Sequence, residues 1–351
     1  MKKMFALLLS AAIMLGLLSG CGSSSAKTDT PAAEKTEETP SESADTQDYS
    51  KLKIAVVLSG NANDGGWSQM AADAAKNVAV TYGCTSNYTE NLAATDFEST
   101  IQGYADAGYD IIVAHGAEFA DAAKKIAQEY PDQTFINTSA LSNFTDQIPN
   151  LTGIDFGAYQ LGFLCGVTCA MASETGKIGA ILSQELDSML VWVDGVKDGV
   201  KYIDDSMEVI SVATGSWDDA VKVKQSVDAL AEKGCDIITQ NADAASPGGV
   251  EECDLLGLMN VGAVGDYTDV GESCMISIIQ NAGLGIESAI SRAIDGTLPN
   301  GFVAMGADAG VIYLTDFSGK YADKLTAEQK QTLQDLWQQA RDGADLAALV
   351  Q

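Results

Sequence analysis

The chain has 351 residues, 49 of them acidic and 20 basic, which gives a formal charge of −29. Such a surface repels phosphate backbones and anionic membrane faces, which excludes nucleic acid as a partner. With 46% hydrophobic residues over this length, the chain can fill two cores rather than one.

Lys2 and Lys3 precede an apolar stretch, residues 4–18. It is shorter than a membrane-spanning helix needs and has the form of an export signal. Leu18-Ser-Gly-Cys21 follows and resembles the lipobox of bacterial lipoproteins, in which the cysteine becomes the acylated first residue. Residues 1–21 therefore read as a lipoprotein signal, with Cys21 as the lipidation site. The lipid is then the only membrane attachment, on the extracytoplasmic face of the cell membrane. Residues 22–50 are rich in Ser, Thr, Glu, Ala and Pro, without an apolar period. They read as a disordered tether with an r.m.s. span of about 30 Å.

Residues 53–58 form an apolar, β-branched run that predicts a buried parallel strand. Asn63-Asp-Gly-Gly-Trp-Ser-Gln69 comes next and leads into a helix expected over 67–82. A strand, a Gly-rich turn and a helix N-terminus present free N–H groups and a positive dipole end to an oxygen-rich ligand. Asp64 or Ser68 can cap the helix. Trp67 stands at the mouth of the turn beside Asp64, a pairing that suits a flat ring carrying hydroxyls. In the competing reading, Asn63 and Asp64 only shape the turn and Trp67 packs inward.

From there strands and helices alternate. Strands are expected at 53–58, 84–88, 110–114, 134–138, 151–155, 177–182, 208–213, 236–240, 261–265 and 274–279. Helices are expected at 67–82, 96–107, 118–130, 157–173, 188–203, 218–233, 248–258, 282–296 and 326–341. The alternation predicts an α/β fold of doubly wound parallel sheets. An internal repeat divides it. Gly176-Lys-Ile-Gly-Ala-Ile-Leu-Ser183 echoes Lys51-Leu-Lys-Ile-Ala-Val-Val-Leu-Ser59, and each is followed by a tryptophan, Trp192 and Trp67. Ala107-Gly-Tyr-Asp-Ile-Ile112 is echoed by Lys233-Gly-Cys-Asp-Ile-Ile238. The first lobe is expected over 51–140 and 278–305, and the second over 156–275 and 306–351. Three crossings, at 137–155, 265–280 and 301–310, would join them as a hinge. The strand-end loops 59–68, 114–119, 183–192, 240–249 and 265–269 would face a cleft between the lobes.

Cys84, Cys165, Cys169, Cys235, Cys253 and Cys274 show no CxxC spacing, and His115 is the one histidine, so no metal site or other cofactor is expected. Cys165 and Cys169 read as core, and the six as free buried thiols. No Ser-His-Asp order and no GxxxxGK[ST] loop is present. His115 lies near Glu118 and Asp121, a pairing capable of acid–base work, but a ligand contact or a structural role is the stronger reading.

Several stretches match a family. They are Asn63-Asp-Gly-Gly-Trp-Ser-Gln69, Ala114-His-Gly-Ala-Glu-Phe-Ala-Asp121, Tyr159-Gln-Leu-Gly-Phe-Leu-Cys-Gly166, Thr175-Gly-Lys-Ile-Gly179, Gly195-Val-Lys-Asp-Gly199 and Gly215-Ser-Trp-Asp-Asp219. Over about residues 51–320 the chain resembles the basic membrane protein family of bacterial substrate-binding lipoproteins, which includes purine nucleoside receptors of ABC transporters. The resemblance implies a type I periplasmic-binding-protein fold, no catalysis, and a base held between aromatic rings of both lobes. By position Trp67 would be the first ring and Trp192 the second. Asp64 and Ser68 fall on polar residues of the family's first loop. Asn63, His115, Gly116, Glu118 and Phe119 join them from the first lobe. Asp243, Asp266, Tyr267 and Asp269 would reach the cleft from the second lobe and hinge. The family's late-strand lysine is here Gln280, a departure that opens the site to another ring or hydroxylated ligand, such as a sugar. The implied partners are a small nucleoside-like ligand and ABC permease subunits, with the receptor itself a monomer. A ligand-sensing lipoprotein without a transporter is the alternative.

Overall fold

The computed structural model describes residues 48–141 and 148–350. The lipobox, Cys21 and nearly all of the expected tether lie outside the described residues.

The first lobe begins with β1 (Lys53–Leu58), α1 (Trp67–Tyr82) and β2 (Thr85–Thr89). Then come α2 (Phe97–Asp106), β3 (Ile111–His115), α3 (Ala120–Glu129), β4 (Thr134–Thr138) and β5 (Leu151–Asp155). The last five residues of β1 and all of β3 are buried, as expected of central parallel strands covered on both faces. The second lobe repeats the plan with α4 (Ala158–Ala172), β6 (Lys177–Leu182), α5 (Asp187–Ile203), β7 (Glu208–Ala213) and α6 (Ala220–Glu232). It continues through β8 (Ile237–Asn241), α7 (Ser246–Leu256), β9 (Met259–Val264) and β10 (Cys274–Gln280). The chain closes with α8 (Ala282–Ile294), β11 (Gly301–Ala304), β12 (Ile312–Leu314) and α9 (Ala327–Arg341).

The two sheets have the strand orders β11-β5-β4-β3-β1-β2 and β12-β10-β9-β8-β6-β7. These are one order written twice, so the repeat seen in the sequence is a repeat of topology. Among the described residues all pairings are parallel except β10 with β12. This is the type I periplasmic-binding-protein architecture.

Two expected boundaries move. β5 lies wholly in the first sheet and β10 wholly in the second. The crossings are therefore short: Phe156 and Gly157 after β5, Asn281 after β10, and residues 305–311 between β11 and β12. Gly157 takes a left-handed φ of 77°, which turns the chain sharply into α4. β11 and β12 were not expected as strands. At four and three residues they are too short for apolar alternation to mark them.

The second lobe uses glycine to pack α4 on α5. A Cβ on Gly162 or Gly166 would overlap the carbonyl oxygens of Trp192 and Val196. A Cβ on Gly195 or Gly199 would overlap those of Tyr159 and Phe163. Gly162 and Gly166, and Gly195 and Gly199, are each one helical turn apart, so each helix presents a groove to the other's backbone. Two stretches that carried the family resemblance are thus a helix-packing device. Cys165 and Cys169 are buried on the same helix, and the six described cysteines are unpaired, but Cys84 is half-buried where a buried thiol was expected.

Candidate functional site

A cavity of about 650 Å³ opens between the lobes. Its walls are the segments that follow the C-terminal ends of β1–β10, the position expected for ligand sites of doubly wound sheets. From the first lobe come Ser59, Asp64, Trp67, Ser68, Asn91, Glu118 and Ser139; from the second, Met189, Trp217, Asn241, Asp243 and Val264. Asp155, Phe156 and Gln280 line it where the chain crosses. Four non-glycine described residues have positive φ: Asn91 (57°), Ser139 (55°), Asp243 (49°) and Val264 (75°). All four lie on the cavity wall. Left-handed backbone is costly for any of them and worst for β-branched Val264, and such strain collects at functional sites.

The first loop is built on Asp64. Its carboxylate accepts from the N–H groups of Gly66 (2.8 Å), Ser68 (2.9 Å) and Gln69 (3.0 Å), which satisfies the orphan donors of α1. Between the two expected caps, Asp64 is the one used, and Ser68 is buried beside it. Asp64→Ala is expected to destabilise the protein by about 2 kcal/mol, the upper end for a lost helix cap. Urea unfolding of this variant measures it; an unchanged midpoint contradicts the assignment.

Capping places Trp67 at the first position of α1, on the cavity wall. One indole face stacks on His115, with centroids 4.3 Å apart and planes 22° apart, and Phe156 meets the ring edge-on at 5.9 Å. His115 itself is buried. Its Nε2 lies 3.1 Å from the Trp67 carbonyl oxygen and its Nδ1 2.9 Å from Thr138 Oγ1. A carbonyl only accepts, so Nε2 carries the proton and the Thr138 hydroxyl donates to Nδ1. Burial pushes the imidazole down to about 4, so it is neutral at neutral pH. Both ring nitrogens are occupied, and His115 braces Trp67 instead of pairing with Glu118 or Asp121.

Asp243 arrives from the other lobe. Its Oδ1 lies 3.4 Å from the Trp67 N–H, and a Cβ on Gly66 would stand only 2.8 Å from the same oxygen. Gly66 therefore permits the approach. The Asp243 carboxyl is pushed up to about 6, first by burial and then by the neighbouring Asp64 carboxylate, while the Trp67 N–H acts in the opposite sense. The folded chain then keeps this proton to higher pH than the unfolded chain, whose value is near 3.8. Stability relative to Asp243→Asn is expected to fall as pH rises from about 4 to about 6 and to level off above. Denaturant titrations of both proteins across that range check it; a difference independent of pH contradicts it.

Other expected site residues lie elsewhere. Trp192 is wholly buried within α5, in the apolar core, and does not reach the cavity. The second-lobe indole on the wall is Trp217, 40% exposed, in the loop between β7 and α6. Phe119 is buried and packs on Phe97 with centroids 3.9 Å apart. Asn63 is exposed and off the wall, its N–H donating to Asn61 Oδ1. Asp266 closes a local turn with Thr268 and faces solvent, as does Asp269. The Tyr267 ring covers Gly262 and Gly265 instead of the cavity. The physical reason is shared: the β9–β10 loop folds back on its own strands. Gly116, Glu118 and Gln280 do line the cavity, and Gln280 Nε2 donates to the Phe156 carbonyl (3.1 Å), tying two crossings together. Sequence reading missed Trp217, although Gly215-Ser-Trp-Asp-Asp219 stands after an expected strand and Asp219 caps the next helix. That placement was the available signal.

No group of three or more His, Cys, Asp or Glu among the described residues is arranged to hold a metal ion. The cavity offers hydrogen bonding, aromatic faces and negative charge, which is equipment for binding.

Residues 51–342 match the family model described as ABC transporter substrate-binding protein PnrA-like. Among curated proteins, the chain is 26% identical to the transcriptional activator protein med of Bacillus subtilis, over 87% of this chain and 88% of that one. It is 24% identical to an ABC transporter nucleoside-binding protein of Lactococcus lactis, over 72% and 78% of the two chains. Among solved structures, an ABC transporter solute-binding protein from Aeropyrum pernix superposes with a TM-score of 0.72 at 18% identity, covering 83% of this chain and 92% of that one. That likeness shows the fold, and the family match spans both lobes and every wall of the cavity: the chain belongs to the PnrA-like family of ABC transporter substrate-binding proteins.

Proposed function

We propose that this protein is a lipid-anchored, extracytoplasmic receptor that holds a nucleoside-like ligand between its lobes and delivers it to an ABC importer without chemical change. One observation carries the reading: two indoles, Trp67 and Trp217, stand on one cavity's walls, each from a different lobe. A flat ring between them would be held only when the lobes close, which couples binding to a shape a permease can recognise. Asp64, Glu118, Asn91, Asn241 and Gln280 supply acceptors and donors for hydroxyls and ring edges. The cavity's size suits a nucleoside, and the relative from Lactococcus lactis is named for nucleoside binding. His115, the residue best suited to acid–base work, is sequestered behind Trp67.

A thermal-shift screen of nucleosides, bases, sugars and amino acids tests the ligand class. Nucleosides are expected to raise the melting temperature, and a rise with sugars alone would redirect the assignment. Cys21→Ala is expected to release the protein from membranes or block its maturation; detergent partitioning like that of wild type contradicts the anchor. A second reading, a ligand sensor that feeds no importer, draws on the relative named as a transcriptional activator.

A further inference from the structure

The cavity wall carries five carboxylates, Asp64, Glu118, Asp155, Asp218 and Asp243, and no lysine or arginine among the described residues. Their surroundings differ. Asp64 is tied to the N-terminus of α1 by three N–H groups, and Asp155 accepts from Gly157 (3.0 Å) and Ala158 (3.3 Å) at the start of α4. The helix N-terminus offsets much of the Asp64 charge, whereas burial pushes the Asp155 carboxyl up despite its backbone N–H bonds. Asp218 is exposed to water, and Glu118 accepts the Ser59 hydroxyl at 2.5 Å. Asp243 has the single long bond from Trp67 and the Asp64 carboxylate as a neighbour. A strained φ of 49° holds it on the wall all the same. Gln280, also on the wall, adds hydrogen-bonding groups but no charge.

We propose that the cavity selects a ligand whose flat ring bears a positive charge, and that Asp243 is the specificity-determining residue that reads it. The proposal rests on the nucleoside-like reading only in placing a ring in this cavity. A cation supplies the counter-charge that the wall lacks and relieves the repulsion between Asp243 and Asp64. The two indoles add a second attraction, since a cation over an indole face is drawn to it. An anionic group, such as the phosphate of a nucleotide, meets five carboxylates and is excluded.

Calorimetric titration of the full chain with four probes tests this. Nicotinamide riboside is a nucleoside with a fixed positive ring charge, and inosine is a neutral one. 1-Methylnicotinamide is a cationic ring without sugar, and nicotinamide is its neutral parent. Each cation is expected to bind at least about tenfold tighter than its neutral counterpart. Asp243→Asn is expected to shrink that ratio severalfold, and an unchanged ratio overturns the role of Asp243. If the variant fails to fold, the wild-type ratios alone decide the charge selection. Inosine equal to or tighter than nicotinamide riboside overturns the proposal and leaves the nucleoside reading standing. 1-Methylnicotinamide bound tightly with neither nucleoside bound supports it and sinks the nucleoside reading. No binding of either cation overturns it.

Discussion

Trp217→Ala is expected to weaken nucleoside binding about ten- to a hundredfold while leaving the melting temperature of the free protein near wild type. Stacking of a base on an aromatic side chain contributes about 1–3 kcal/mol by alanine substitution, and about 1.4 kcal/mol is tenfold in affinity. Trp217 is 40% exposed, so its removal leaves no internal void. Trp192→Ala reverses the pattern. That ring is wholly buried, and emptying such a site costs about 3–5 kcal/mol of stability. Its affinity, in whatever remains folded, is expected to stay near wild type. Trp67→Ala combines both effects, because the indole lines the cavity and also covers His115. Calorimetry beside melting curves of the ligand-free variants separates the three. Normal affinity in Trp217→Ala, or lost affinity with intact stability in Trp192→Ala, contradicts the assignment of the second-lobe ring.

Gly162→Ala is expected to destabilise the protein by about 3 kcal/mol or more. The added methyl meets the backbone carbonyl of Trp192, and backbone cannot swing aside as a side chain can. Gly199→Ala meets the Phe163 carbonyl in the same way. Gly103 in α2 provides the opposite case, since a Cβ there has open space around it. Gly103→Ala is expected to stabilise by about 0.5–1 kcal/mol through helix propensity and a less free unfolded chain. Urea unfolding of the three variants gives the comparison. A mild effect at Gly162 would mean that α4 and α5 can move apart cheaply, and the close helix contact would then not hold the second lobe together.

The strands were legible because each central one is a short apolar run with polar turns at both ends, as in Lys53–Leu58 and Lys177–Leu182. The pairing of two similar lobes was legible from the echoed stretches. The misplaced tryptophan shows where such reading stops. Trp192 lies at nearly the repeat offset from Trp67, but the loop before α1 spans residues 59–66 and the loop before α5 only 183–186. The same offset therefore lands inside a helix in the second lobe, and the core takes the ring. The glycines of α4 and α5 were visible as family stretches, yet their meaning, contact of one backbone with another, needs the facing helix. The left-handed conformations of Ser139 and Val264 left no mark in the sequence, because neither is a residue such positions favour, while Asn91 and Asp243 are of the types that tolerate them but are common elsewhere as well.

In the proposed function one flat ring is held between Trp67 and Trp217 as the lobes close. Crystallisation of the protein with the nucleoside that gives the largest thermal shift tests it most directly. The account predicts the base between the two indoles, with its hydroxyls or ring nitrogens on Asp64, Glu118 and Asp243. A base bound elsewhere, or in the cavity without touching Trp217, would contradict it.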